Sequence, residues 1–77
     1  MSTHHMTLRV SRPPVRAPKS HWKAILTMQV DRKLWGSGFR RKGPISWKEP
    51  PLERYLNGTV GSPGYIDVSF SAVGVDR

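Results

Sequence analysis

The sequence predicts a mainly β fold, with α+β character minor: a small curled antiparallel sheet or barrel of four or five strands, with one short helix near residues 51–57. Three observations lead there. Apolar and polar residues alternate from His21 to Val30 and again from Tyr65 to Val75, the period of a half-buried strand. Helical i, i+3, i+4 spacing gives Leu52, Tyr55 and Leu56 one apolar face, the mark of one short helix. A sheet of several short strands is best closed on itself, because closure hides edges that a flat sheet leaves open.

Residues 1–5 read as a disordered start, and residues 6–77 as one small basic domain. Met6 to Ser11 alternates and is a strand candidate. The segment 12–19 carries Pro13, Pro14 and Pro18, which forbid a helix and remove ladder donors, so it reads as an extended, polyproline-like arm. From Trp22, the residues Trp22, Ala24, Leu26, Met28 and Val30 form one apolar set on a strand. Asp31-Arg32-Lys33 reads as the turn that follows. Leu34 to Gly43 is aromatic, glycine-rich and basic, a bulged strand or a flexible loop. Ile45 to Lys48 is a short strand candidate.

Pro50 to Gly58 opens with two prolines suited to a first helical turn and closes on Asn-Gly, which suits a left-handed stop. The rival reading makes Asn57-Gly58 a hairpin turn. Ser62-Pro63-Gly64 is a turn. In the last strand Ile66, Val68, Phe70 and Ala72 face the core, and Asp67, Ser69 and Ser71 face out. The tail from Gly74 frays.

Composition narrows the function. The chain has 77 residues and no cysteine, so disulfides and cysteine-based zinc sites are excluded as staples of a marginal core. Its apolar share of 36% lies below the roughly 45–50% usual for globular domains, which leaves part of the chain irregular. No apolar run reaches the ~18 residues of a membrane span, and residues 1–16 lack the apolar core of a signal peptide, so a cytoplasmic protein is expected. The net charge is +8, unevenly spread. Residues 1–48 hold eleven basic side chains against the single acid Asp31, while residues 49–77 hold two against four. Such a field draws phosphates or an acidic protein surface.

The most suggestive stretch is 34–42. Trp35 offers a face for an unstacked base, and Arg40, Arg41 and Lys42 offer charge for phosphates. Arg12, Arg16 and Lys19 add an auxiliary arm of one sign, and Lys23 follows close behind. Gly36-Ser37-Gly38 lacks the length and context of a phosphate-binding loop. His4, His5 and His21 match no standard metal spacing, and no cofactor is indicated.

These features point to a non-enzymatic nucleic-acid-binding module, with RNA ahead of DNA. One alternative is a small regulator or inhibitor that binds an acidic surface of a larger protein machine. A second is a metal-free ribonuclease with His21 as general base, Arg40 or Arg41 stabilising the phosphorane, and Glu49 or Glu53 as second acid.

Overall fold

Trp22, Leu26, Val30 and Leu34 recur every fourth residue, and that spacing decides the longest element. A computed structural model describes residues 2–13, 16–57 and 64–75, with the side chains of Lys19, Pro50, Pro51 and Asn57 outside the description. In it these four residues line the buried face of helix α1 (Lys19–Gly36), each no more than 7% exposed. The expected strand at 21–30 is therefore a helix. Ala24 and Met28, which an alternating strand would bury with Trp22, are exposed instead. No proline or glycine interrupts residues 19–35, and a helix buries its stripe at about 1.5–3 kcal/mol per large apolar side chain. Asp31, Arg32 and Lys33, expected as a turn, lie inside this helix.

The remaining elements are β1 (Thr3–Ser11), β2 (Phe39–Lys42), α2 (Pro50–Asn57) and β3 (Tyr65–Gly74). The domain is α+β rather than mainly β. Among the described residues there are three strands, not four or five, and they form an open antiparallel sheet of order β1-β3-β2 rather than a barrel. Ile45 to Lys48 is not a strand, although the Ser46 N–H donates to the Ser69 carbonyl at 2.9 Å and extends the contact with β3 irregularly. β1 begins at Thr3, inside the segment read as a loose start. α2 reaches Asn57, while Gly58 of the expected stop and Ser62-Pro63 of the expected turn lie outside the described residues.

α2 forms where expected and buries Leu52 and Tyr55. Ile66, Val68, Phe70 and Ala72 all face the core as expected, joined there by Val10 from β1. The rings of Trp22 and Tyr55 meet at 5.3 Å between centroids, so both helices lie on the same side of the sheet. The two turns flanking β2 need glycine. Gly38 (φ +83°) ends α1 and Gly43 (φ +82°) ends β2, both in the left-handed region that L side chains avoid.

α1 also seals part of the β1 edge. The Gln29 amide donates to the Ser11 carbonyl and accepts from the Ser11 N–H, both at 2.9 Å, and the Lys33 ammonium donates to the Arg9 carbonyl at 2.7 Å. These side chains occupy backbone groups that an edge strand otherwise offers to another chain.

The segment 12–19 is docked rather than free where it is described. Pro13 is fully buried, Arg12 is half-buried with its N–H bonded to the Gly64 carbonyl at 3.0 Å, and the Ala17 carbonyl accepts from the Trp22 indole at 2.9 Å. Lys19 is the first residue of α1, so the proline-imposed extension ends at Pro18.

Candidate nucleic-acid interface

With both helices on one side, the register fixes what the other side displays. The pairs Thr7–Ser69 and His5–Ser71 from β1 and β3 project away from the helices, and Arg40 and Lys42 of β2 project with them, opposite Val73 and Ser71. His5, Ser71 and Lys42 thus form one row across the sheet. Neighbouring strands are ~4.8 Å apart, so this row spans roughly 10 Å, and Arg40 stands about 6.8 Å along β2 from Lys42.

Beside these cations, on β1 and β3, lies a shelf of small hydroxyls. Thr7 and Ser69 share a hydrogen bond at 3.0 Å, and Ser71 is half-buried beside them. Ser69, expected to face out, does so, yet it is only 8% exposed because neighbouring strands crowd so small a side chain.

The three residues of the Arg40-Arg41-Lys42 run do different things. Arg40 and Lys42 are exposed, and no ion pair or side-chain hydrogen bond engages either among the described residues. Arg41 points to the helix side. Its Nε donates to Asp31 of α1 at 2.9 Å, and its Nη1 donates to the Gly43 carbonyl. The run contains no acid of its own. The helix supplies the acid instead, and it reaches only the middle residue.

Arg9, which the sequence reading passed over, lies at the far corner of the same face. Its guanidinium pairs with Asp67 at 3.0 Å and stacks over the Tyr65 ring at 3.9 Å from the centroid. The hydrogen bond to Asp67 raises its pKa further, so it is always charged. Only the strand register could have signalled it, because Arg9 and Asp67 are 58 positions apart.

The other expected site residues are scattered. Trp35 is 61% exposed on the last turn of α1 and shares a shallow cleft of about 350 Å³ with Arg40 and Arg41. Lys23 lies on α1 with its ammonium 5.7 Å from the Trp47 ring centroid. Arg16 is exposed in the turn before α1, Arg12 is half-buried beneath the β1 end, and the Lys19 side chain lies outside the description. His21 opens α1, whereas Arg41 meets that helix at Asp31, ten residues and about 15 Å further on. The proposed ribonuclease set is thus not brought together. His4 and His5 point to opposite faces of β1, and no three His, Asp or Glu side chains converge among the described residues. No described helix is long and apolar enough to cross a membrane.

The fold and site define a small α+β domain whose antiparallel sheet is covered on one face and polar and basic on the other. In comparisons with known proteins, no family model, no curated protein and no solved structure matches this chain.

Proposed function

We propose that this chain is a non-enzymatic nucleic-acid-binding module that seats a single strand, RNA in preference to DNA, on the open face of its sheet. The observation that carries the reading is the pairing of Arg40 and Lys42 on that face, exposed and without side-chain partners among the described residues. An Arg can hold a phosphate bidentately and a Lys can hold one as a point charge. The hydroxyls of Thr7, Ser69 and Ser71 both donate and accept, which suits ribose 2′-hydroxyls alongside the backbone. Trp35, on α1 at the covered side of the sheet, takes no part in this seat.

The test is a salt titration of binding to a fluorescent single-stranded RNA and to the DNA of the same sequence. Each neutralised phosphate contributes about −0.7 to the slope of log K against log salt, so Arg40 and Lys42 alone require about −1.4 or steeper. RNA binds more tightly than DNA. A flat salt response for both would overturn the assignment.

A further inference from the structure

Helix α1 carries a second apolar stripe on the side turned away from the core. Ala24 and Met28 are exposed there, and Trp35 continues the line two turns on. With Trp47 from the loop after β2 as the opposite wall, they bound an open groove of about 690 Å³. From Ala24 to Trp35 the groove runs about 16 Å along the helix axis, some three turns. A surface helix buries one apolar stripe against its own core; an exposed Met and Trp on the opposite side, gathered with Trp47 around one groove, mark a surface for interaction.

The charges around the groove say what covers it. Lys23, Arg32 and Asp31 line it, and Asp31 is already neutralised by Arg41. Lys23 and Arg32 are exposed, and among the described residues neither has an acidic partner. At 100° per residue they stand on opposite sides of Met28 and Trp35, roughly 13 Å apart along the axis. A second copy of this chain would bring +8 against +8 and set these two cations against their own duplicates. We infer that the groove receives an acidic amphipathic helix of a protein partner, its apolar stripe against Met28, Trp35 and Trp47 and its carboxylates on Lys23 and Arg32. Trp, Met and Arg are the residue types that dominate such contacts, and a groove of this length suits anchors at i, i+4 and i+7. The surface is separate from the sheet's open face, so the domain can hold a nucleic acid and a protein together.

Two designed helical peptides of the same length test this. Both carry one leucine stripe at i, i+4 and i+7; one is flanked by glutamates and the other by lysines. Binding is read by peptide anisotropy and by the emission of the exposed tryptophans. The glutamate peptide binds and the lysine peptide does not. Met28→Ser, and separately the pair Lys23→Glu and Arg32→Glu, each weaken binding at least tenfold. Arg40→Ala with Lys42→Ala leaves it unchanged, and single-stranded RNA does not displace the peptide. The inference is overturned if neither peptide binds, if both bind alike, or if the groove variants bind as well as the parent. It is equally overturned if the free chain is a dimer that Met28→Ser makes monomeric, or if RNA displaces the peptide from the groove.

Discussion

Replacing Arg40 and Lys42 together with Ala separates binding from folding, and Arg41→Ala is its mirror image. Arg40 and Lys42 are exposed and engage no described side chain, so their loss leaves stability within about 0.5 kcal/mol. If each neutralises one phosphate, each contributes about 0.7 of a released counterion, worth roughly fivefold in affinity at ~0.1 M salt. The double variant then loses about 25-fold, close to 1.9 kcal/mol, and its salt slope flattens by about 1.4. Arg41 behaves in the opposite way. Its pair with Asp31 is partly exposed and contributes about 0.5–1 kcal/mol, and its bond to the Gly43 carbonyl adds a similar amount. Arg41→Ala therefore costs about 1–2 kcal/mol, a fall in Tm of roughly 5–15 °C, with affinity at a permissive temperature changed less than threefold. Thermal melts by circular dichroism and anisotropy titrations with a single-stranded RNA read both quantities. Full affinity in the double variant would refute the placement of the site. So would an Arg41→Ala chain that melts normally yet binds as poorly as the double variant.

Phe70 is 1% exposed on the central strand, and Phe70→Ala costs about 3–5 kcal/mol, enough to unfold a marginal domain in a urea titration. The Tyr55 hydroxyl is buried with no hydrogen-bond partner among the described residues, so Tyr55→Phe is neutral or stabilising by up to about 1 kcal/mol. Burial raises the Tyr55 phenol above its ordinary 10.0 while Arg12 pulls it back, so the folded chain holds this proton more tightly than the unfolded one. That contribution to stability is whole below about pH 10 and is lost as pH rises through the folded value, and Tyr55→Phe flattens this alkaline limb in melts taken across the range. Gly38 and Gly36 give opposite signs. Gly38→Ala places a Cβ at φ +83° and costs about 1–2 kcal/mol, whereas Gly36→Ala, with nothing within 4 Å of the new Cβ, stabilises the end of α1 by about 0.5 kcal/mol.

How much of this was legible depended on which period the apolar residues obey. On β1 and β3 the alternation has no competing reading, because Ile66, Val68, Phe70 and Ala72 fit a helix poorly and a strand well. α2 was legible for the converse reason. α1 was not, because Trp22, Leu26, Val30 and Leu34 all fall on even positions. A spacing of four is contained in a spacing of two, and the exposed Ala24 and Met28 completed a false alternation. The absence of any breaker between Lys19 and Trp35 was the signal that separates the two. At the site, the basic run was found at once, but its division of labour was not. Once 39–42 is a strand, alternation alone turns Arg41 away from Arg40 and Lys42. Its acid could not be found while Asp31 was read as part of a turn.

The order of the strands also sets how the chain reaches this state. β3 lies between β1 and β2, so every ladder bond of the sheet involves the strand that comes last in the sequence. Thr3 meets Val73 across 70 positions, and even the nearer pairing, Lys42 with Ser71, spans 29. Such distant closures make assembly slow relative to helix formation, which takes microseconds or less. Until β3 docks, β1 and β2 have no strand beside them, and both present naked edges. The Gln29 and Lys33 side chains meet the β1 edge across only 18 and 24 positions, nearer in sequence than β3, so α1 can cover that edge before β3 pairs. Gln29→Ala would then cost about 1–2 kcal/mol, as Arg41→Ala does, but unlike Arg41→Ala it would also raise the amount of aggregate formed on refolding at high concentration.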